Sequence, residues 1–119
     1  MHKLPLDLNL NGLIEQDLSS VRVGKFDAQF CFQEGLTIQA FHKVILSSNQ
    51  VEIAVFNQNW LTTEPLKNII GEQVISFSKE TELLFQITLT NEKEISFVTE
   101  VSQYESINIE YPNGKLIVI

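Results

Sequence analysis

The chain has 119 residues, of which 44% are hydrophobic and 19% are charged, so we expect one folded domain built around a single core. Its 15 acidic and 8 basic residues give a net charge of −7, which disfavours binding to nucleic acid or to an anionic membrane surface. No apolar run reaches the roughly 20 residues of a membrane helix, and Asp7 interrupts the apolar N-terminus, so we expect neither a membrane span nor a secretory signal. The single cysteine, Cys31, cannot form an internal disulfide, which fits a reducing cytoplasm.

The first 19 residues predict a strand followed by a short helix. Leucines alternate with polar residues or proline through residues 4–10, which indicates a half-buried strand that ends at the turn residues Asn11 and Gly12. Pro5 restricts this strand to the edge of a sheet. Apolar spacings of three and four residues then predict two helical turns over residues 13–19.

The next segment predicts a three-stranded meander. Buried-type residues alternate with polar ones from Val21 to Phe32, and Gly35 supplies a turn. A single parity of apolar residues through 36–46 predicts one long, twisted return strand. The polar turn at 47–50 leads into the third strand, over residues 51–55.

Residues 57–71 break this rhythm and predict one short helix. Thr63 is suited to the N-cap, and Pro65 is suited to a first turn because its missing N–H costs little there. Gly71 is suited to the left-handed position that follows a helix.

The remainder predicts further strands, giving about eight to ten in the whole chain. They cover residues 74–77, 83–89, 95–101, 107–111 and 116–119. The predicted fold is mainly β, with antiparallel meanders that form a sandwich or half-barrel and one or two short helices. Segments 18–56 and 70–119 have similar patterns, so a pseudo-repeat is a further prediction within the one domain, residues 1–119.

The residues that could carry catalysis do not form a convincing set. Cys31, His42 and Asp27 are of the types that make a nucleophile, its base and an orienting group, but the predicted strand faces separate the cysteine from the histidine. Metal-ligand spacings and phosphate-binding glycine loops are absent from the sequence. We therefore predict no catalytic residue, no cofactor and no metal, and a protein that is not an enzyme.

Acidic side chains are concentrated in the last third of the chain. Residues 1–70 hold five basic and seven acidic groups, whereas residues 71–119 hold three and eight. Glu94 and Glu100 are expected on the exposed side of a sheet, and Glu110 can join them. This face either serves only to solvate the sheet or recognises a basic protein. Trp60, in a polar segment between sheet and helix, either packs under the helix or acts as a binding anchor.

Three segments of the chain resemble small bacterial immunity proteins, which neutralise polymorphic or contact-dependent growth inhibition toxins. They are the meanders Phe30-Cys-Phe-Gln-Glu-Gly-Leu-Thr-Ile38 and Phe85-Gln-Ile-Thr-Leu-Thr-Asn-Glu-Lys-Glu-Ile-Ser-Phe97, and the ending Tyr111-Pro-Asn-Gly-Lys-Leu-Ile-Val-Ile119. The same segments are similar to an uncharacterised bacterial family of duplicated β hairpins.

The resemblance implies an inhibitor that binds a cognate basic toxin domain, often a nuclease, and covers its active site. On this hypothesis Glu94, Glu100 and Glu110 attract the partner, while Trp60 and Tyr104 anchor it. Two alternatives remain open. One is a β-barrel or sandwich that binds a small apolar ligand among Phe30, Phe32, Phe85 and Phe97, and the other is an enzyme that uses Cys31 or His42.

Overall fold

The computed structural model describes residues 3–57, 64–101 and 106–119, which form ten strands and three short 3₁₀ helices. The strands are β1 (Leu18–Val23), β2 (Ala28–Phe32), β3 (Thr37–Ala40), β4 (Lys43–Ser48), β5 (Val51–Asn57), β6 (Val74–Thr81), β7 (Leu84–Leu89), β8 (Lys93–Val98), β9 (Ile107–Glu110) and β10 (Leu116–Val118). The 3₁₀ helices span Asn11–Leu13, Glu64–Asn68 and Thr90–Glu92. The prediction of a mainly β fold is confirmed.

The strands form two open antiparallel sheets that pack face to face. The first sheet has the order β1-β2-β3-β9-β10, and the second sheet has the order β5-β4-β8-β7-β6. Phe30 of the first sheet meets Phe97 of the second edge-on, with 5.2 Å between ring centroids. Phe97 in turn stacks on Phe85 of the neighbouring strand, at 4.9 Å. The predicted architecture is therefore realised as a sandwich.

Period-two alternation explains the inner and outer faces of both sheets. In β2, Ala28, Phe30 and Phe32 are buried, whereas Gln29 and Cys31 between them are partly exposed. The β2–β3 hairpin predicted around Gly35 is observed, and the glycine has a φ of 103°. Because successive side chains of a strand point to opposite faces, the apolar set becomes the core and the polar set forms the outer surface.

The long return strand predicted over residues 36–46 is wrong. β3 ends at Ala40 in the first sheet, and β4 begins at Lys43 in the second sheet. Between them, the N–H of Phe41 donates to the carbonyl of Ser106 at 2.8 Å. Both strands bury the same parity of residues, so the alternation alone did not reveal that the chain changes sheets here.

The edge strand predicted over residues 4–10 is also wrong. This segment forms no ladder, although the N–H of Leu4 donates to the carbonyl of Glu82 at 2.8 Å. Leu8 and Leu10 are buried with Leu4, but Leu6 is 92% exposed. Three of the four leucines therefore anchor an irregular segment to the core, and the alternating pattern here does not indicate a strand.

The two predicted helices are shorter than expected. In place of a helix over residues 13–19 there is only the 3₁₀ turn Asn11–Leu13, because Glu15 has a left-handed φ of 75° and Leu18 already begins β1. The second prediction is confirmed in part by the 3₁₀ helix Glu64–Asn68 and by a φ of 89° at Gly71. The proposed cap, Thr63, lies outside the described residues.

The two halves of the chain have the same strand order. Read from their matching edges, the sheets are β1-β2-β3-β9-β10 and β6-β7-β8-β4-β5, so each half places three strands in one sheet and two in the other. The β1–β2 and β6–β7 pairings even share a β-bulge, between Leu18 and Ser20 in one and between Val74 and Ser76 in the other. The correspondence is observed, while its origin by duplication stays a prediction.

Backbone hydrogen bonds show where the two halves meet. Asp17 and Gln73, which precede β1 and β6, form an antiparallel bridge. Four hydrogen bonds flank this bridge in two matching pairs. They run from Leu18 N to Glu72 O (2.9 Å), Val74 N to Gln16 O (2.9 Å), Gly71 N to Leu18 O (2.7 Å) and Glu15 N to Val74 O (2.9 Å). Each residue thus has a counterpart in the other half, so the two halves are related by an approximate two-fold axis through this bridge.

Candidate functional site

The three carboxylates predicted to attract a partner do not share one face. Glu94 lies on the outer face of the second sheet, paired with β4 and β7, whereas Glu110 lies on the outer face of the first sheet, paired with β3 and β10. Glu100 follows β8 and approaches His42. The shared acidic face is therefore a wrong prediction, because β8 and β9 belong to different sheets of the sandwich. Trp60 and Tyr104 lie outside the described residues.

A second carboxylate, Glu52 of β5, lies in the same row of the second sheet as Glu94. Glu52 pairs with Ser47, and Ser47 pairs with Glu94, so the two carboxylates stand two strand spacings apart, about 10 Å. The β-bulge between Leu46 and Ser47 produces this arrangement. A regular register would have placed Glu52 opposite Ser48 and on the inner row, so the bulge is what brings Glu52 into the row of Glu94.

An open cleft of about 380 Å³ adjoins Glu94. Its lining residues, which we call the acidic cleft, are Asn49, Gln50, Thr88, Glu92 and Glu94. The β4–β5 and β7–β8 turns form its rim, and the N–H of Asn49 donates to the carbonyl of Glu92 at 3.0 Å. Asn49, Gln50 and Glu92 all have left-handed backbone, with φ of 55°, 65° and 59°. A left-handed backbone is uncommon for residues other than glycine, so the two turns adopt this conformation at some energetic cost.

Glu92 and Glu94 are the two charged residues that line this cleft. Glu72 is a third carboxylate at the β7–β8 turn but is not among the lining residues. It accepts hydrogen bonds from Thr90 Oγ1 (2.6 Å) and from Asn91 Nδ2 (2.9 Å to one oxygen). Those bonds, with the positive charge of Lys93, hold the pKa of Glu72 below its ordinary value of 4.5 despite some desolvation.

The possible nucleophile and base are not brought together. Cys31 lies on the outer face of the first sheet, with its Sγ 3.9 Å from Thr37 Oγ1. His42 lies where the chain passes between sheets, with Nδ1 3.6 Å from Glu100 Oε1. Asp27 instead accepts a hydrogen bond from the Gln39 amide at 2.7 Å. Each group has separate neighbours, so this geometry does not make a catalytic unit.

Among residues 3–57, 64–101 and 106–119, no group of three histidine, cysteine, aspartate or glutamate side chains lies close enough together to hold a metal ion.

The aromatic residues proposed as a ligand site fill the interior instead. Phe30, Phe85 and Phe97 are fully buried, and Phe97 contacts both of the other rings, so a ligand among them would have to displace a ring. A separate apolar groove of about 300 Å³ lies between β1 and the second 3₁₀ helix, with Val23 and Ile70 on its exposed wall.

The protein is thus a two-sheet β sandwich that carries an acidic cleft at one end of its second sheet. No protein-family model, curated protein or solved structure matches the chain. Among the helices that the structure describes, none has the length and apolar character needed to cross a membrane.

Proposed function

We propose that this chain is an inhibitor that binds a basic protein through the acidic cleft, and that its partner is a toxin domain of the polymorphic or contact-dependent growth inhibition class. The observation that carries the proposal is the grouping of Glu92 and Glu94 at the cleft, with Glu52 in the same strand row as Glu94. A nuclease active site carries the complementary positive charge, because it must bind phosphates.

The physical role of the acidic cleft is to attract and orient the partner. Exposed ion pairs each contribute little to affinity, but a field of one sign raises the rate of encounter and discriminates against wrong partners. Glu92 lies in a turn that is hydrogen-bonded through its carbonyl to the N–H of Asn49, and Glu94 lies in β8, so the backbone that carries both carboxylates loses little entropy on binding.

Inhibition would proceed by occlusion and would need no chemistry from this chain. The bound sandwich would cover the toxin's catalytic groups and exclude its nucleic-acid substrate. On this proposal the chain is not an enzyme, uses no cofactor and acts in the cytoplasm of the cell that makes the toxin.

The test of function is growth of cells that express the C-terminal domain encoded immediately upstream of this chain, with and without the chain. We expect arrest without the chain, and rescue with a co-purifying complex when it is present. A harmless upstream domain, or equal arrest in both cultures, would contradict the proposal.

The test of the interface is a pair of charge reversals with equal effect on net charge. Glu94→Lys and Glu110→Lys each change the formal charge from −7 to −5, but their positions lie on opposite outer faces of the sandwich. We expect Glu94→Lys to slow association by roughly tenfold at low salt and to flatten its salt dependence, while Glu110→Lys stays near wild type. Equal effects of both reversals would show that only net charge matters and would remove the acidic cleft from the interface.

The alternative function is capture of a small apolar ligand in the groove that includes Val23 and Ile70. An apolar fluorescent dye distinguishes the two functions. Saturable dye binding that Val23→Lys abolishes would favour ligand capture, whereas dye binding is not expected of the inhibitor.

A further inference from the structure

A second cleft, of about 210 Å³, lies at one end of the first sheet, away from the acidic cleft. It opens between the N-terminal segment, the β2–β3 turn and the β9–β10 turn. We call it the N-terminal cleft, and its walls include Leu10, Gln16, Glu34, Leu36 and Tyr111. Leu10 and Leu36 are buried beneath it, so it has an apolar floor and a polar rim.

The rim of the N-terminal cleft presents hydrogen-bond acceptors. Gln16 Nε2 donates to the Gly12 carbonyl at 2.9 Å and to Glu34 Oε2 at 2.8 Å, while Gln16 Oε1 accepts from the Glu34 N–H at 3.1 Å. A carbonyl oxygen has two lone pairs and a carboxylate has about four acceptor sites, so Gly12 and Glu34 both retain capacity for a further donor. A cation placed at this rim would find a carbonyl and a negative charge together.

At the corresponding position in the second half of the molecule, a lysine side chain of the chain itself is already bound. The two-fold correspondence matches Leu36 with Lys93, since each follows the left-handed residue of its turn, and matches Gly12 with Asn68. There, Lys93 Nζ donates to the Asn68 carbonyl at 2.5 Å. The ammonium group thus caps the carbonyl that corresponds to that of Gly12, which accepts from the Gln16 amide and retains a second lone pair.

Each half also has a carboxylate hydrogen-bonded to a side-chain amide, but the position that carries the carboxylate in one half carries the amide in the other. Glu72 corresponds to Gln16, and Asn91 corresponds to Glu34. The Glu72 carboxylate accepts from the Asn91 amide, as the Glu34 carboxylate accepts from the Gln16 amide. The positive charge of Lys93 acts on Glu72 closely enough to help lower its pKa. A lysine side chain is therefore already accommodated by this set of groups in one half.

We propose that the N-terminal cleft binds a lysine side chain of a partner protein. The ammonium group lies at the Gly12 carbonyl and the Glu34 carboxylate, and the methylene stem packs on Leu10, Leu36 and the Tyr111 ring. Lysine suits this cleft because it combines a compact charge with a flexible apolar stem. The identity of the lysine donor as a basic toxin rests on the proposed function, whereas the binding of lysine itself does not.

The chain's own Lys115 already contacts one wall of the cleft region. Its Nζ lies 5.2 Å from the centroid of the Tyr111 ring. That contact shows that this ring accepts an ammonium group, as expected of an aromatic face. It also supplies a control, because Lys115→Gln removes a competing positive charge without changing Gly12 or Glu34.

The direct test is an NMR titration of the isotopically labelled chain with Nα-acetyl-lysine N-methylamide, with the norleucine analogue as the uncharged control. A single side chain should bind in the millimolar range. We expect saturable shifts at Gly12, Gln16, Glu34 and Leu36, with binding of the norleucine analogue weaker by about tenfold. Equal binding of both compounds, or an absence of shifts at these residues, would overturn the proposal.

Two variants locate the ammonium group and its carboxylate. Glu34→Gln should weaken lysine binding by roughly fivefold, since an exposed carboxylate is partly screened, while Lys115→Gln should not weaken it. Leu36→Lys should fill the cleft from within, as Lys93 does in the other half, and abolish binding of the probe. Unchanged binding in Glu34→Gln overturns the proposal even if Leu36→Lys fails to fold.

A reciprocal variant tests the comparison with the second half. Lys93→Leu should open a cleft beside Asn68 and Glu72 and create a second lysine-dependent set of shifts there. An unchanged spectrum around Asn68 on titration would contradict the equivalence of the two locations.

The same Glu34→Gln variant separates this inference from the proposed function. If the variant loses probe binding but still neutralises the toxin, lysine capture by the chain stands and its use as a toxin anchor fails. If the wild-type chain binds the probe but neutralises nothing, the lysine site stands and the proposed function fails. If probe binding is absent while neutralisation is intact, the lysine site alone fails.

Discussion

The two halves of the molecule share a backbone framework but use different side chains on it. Strand order, the first β-bulge and the hydrogen bonds around the Asp17–Gln73 bridge correspond between β1–β5 and β6–β10. Backbone pairing therefore sets the architecture, while side-chain differences decide where the surface is open and where the core is filled. The N-terminal cleft and its Lys93-filled counterpart show this on the surface.

The core shows the same principle. Ala28 and Ala40 pair on the inner face of the first sheet, at the positions where Phe85 and Phe97 pair in the second. Facing sheets lie about 10 Å apart, so small residues on one inner face leave space for large rings on the other. The halves are therefore complementary in volume even though their backbones correspond.

The largest loss of stability should come from removing an aromatic ring from the core of the second half. Phe97→Ala deletes contacts with both Phe30 and Phe85, so we expect the free energy of unfolding to fall by about 3–5 kcal/mol, measured by urea denaturation. Ile38→Val, a smaller change at a fully buried site of the first sheet, should cost only about 1 kcal/mol. Similar losses in both variants would mean that the rings do not dominate the core.

A smaller loss of stability is expected where a side chain accepts a hydrogen bond from the backbone N–H of each bridge residue, Gln73 or Asp17. Thr90 Oγ1 accepts from the Gln73 N–H at 3.1 Å and donates to Glu72, whereas Gln33 Oε1 only accepts from the Asp17 N–H at 3.2 Å. We expect Thr90→Val to destabilise the protein by about 1–2 kcal/mol and Gln33→Met by about half of that. Thermal unfolding of both variants measures the difference, and the reverse order would contradict this account.

Equivalent backbone positions carry different residues and should respond in opposite directions. Gly71 and Glu15 both have left-handed φ, 89° and 75°, and their N–H groups make matching hydrogen bonds. Gly71→Ala should cost about 1 kcal/mol, and Glu15→Gly should relieve strain and stabilise by about 0.5 kcal/mol or less. An added Cβ at Gly71 meets nothing within 4 Å, so a loss there reports on backbone conformation alone.

The smallest effect concerns the pH dependence of Glu72. Because its pKa is lowered in the folded state, its carboxylate stabilises the protein above the ordinary value of 4.5, and this contribution is lost as pH falls through the lowered pKa. Glu72→Gln should therefore be less stable than wild type near pH 7 by a few tenths of a kcal/mol, given the exposure of the site. The difference should shrink as the pH falls below 4.5 and through the lowered pKa, and a constant difference from neutral to acidic pH would contradict the assignment.

Much of the strand pattern was predictable because alternation reports burial directly. The β2–β3 hairpin, the turn at Asn49 and Gln50, and the later strands β7 to β10 follow from apolar parity and turn residues. The predictions over residues 4–10, 13–19 and 36–46 are wrong for one shared reason. An apolar pattern states that residues are buried, but it does not state which element or sheet buries them.

The candidate site was predictable only in part. The carboxylates of Glu92 and Glu94 follow from a polar turn and an exposed strand position, but Glu52 joins them through a bulge, and Glu110 leaves them because β9 pairs in the first sheet. The N-terminal cleft is a tertiary feature, because its walls come from three separate segments. The roles of Trp60 and Tyr104 stay predictions.

By itself, the sequence determined the β class, most strands, the tight turns and the excess of negative charge, since these depend on neighbours along the chain. The tertiary structure alone decided which strands share a sheet, where the chain crosses between sheets, and which acidic groups stand together. Those features depend on hydrogen bonds between distant residues such as Leu18 and Glu72, and local periodicity carries no information about such partners.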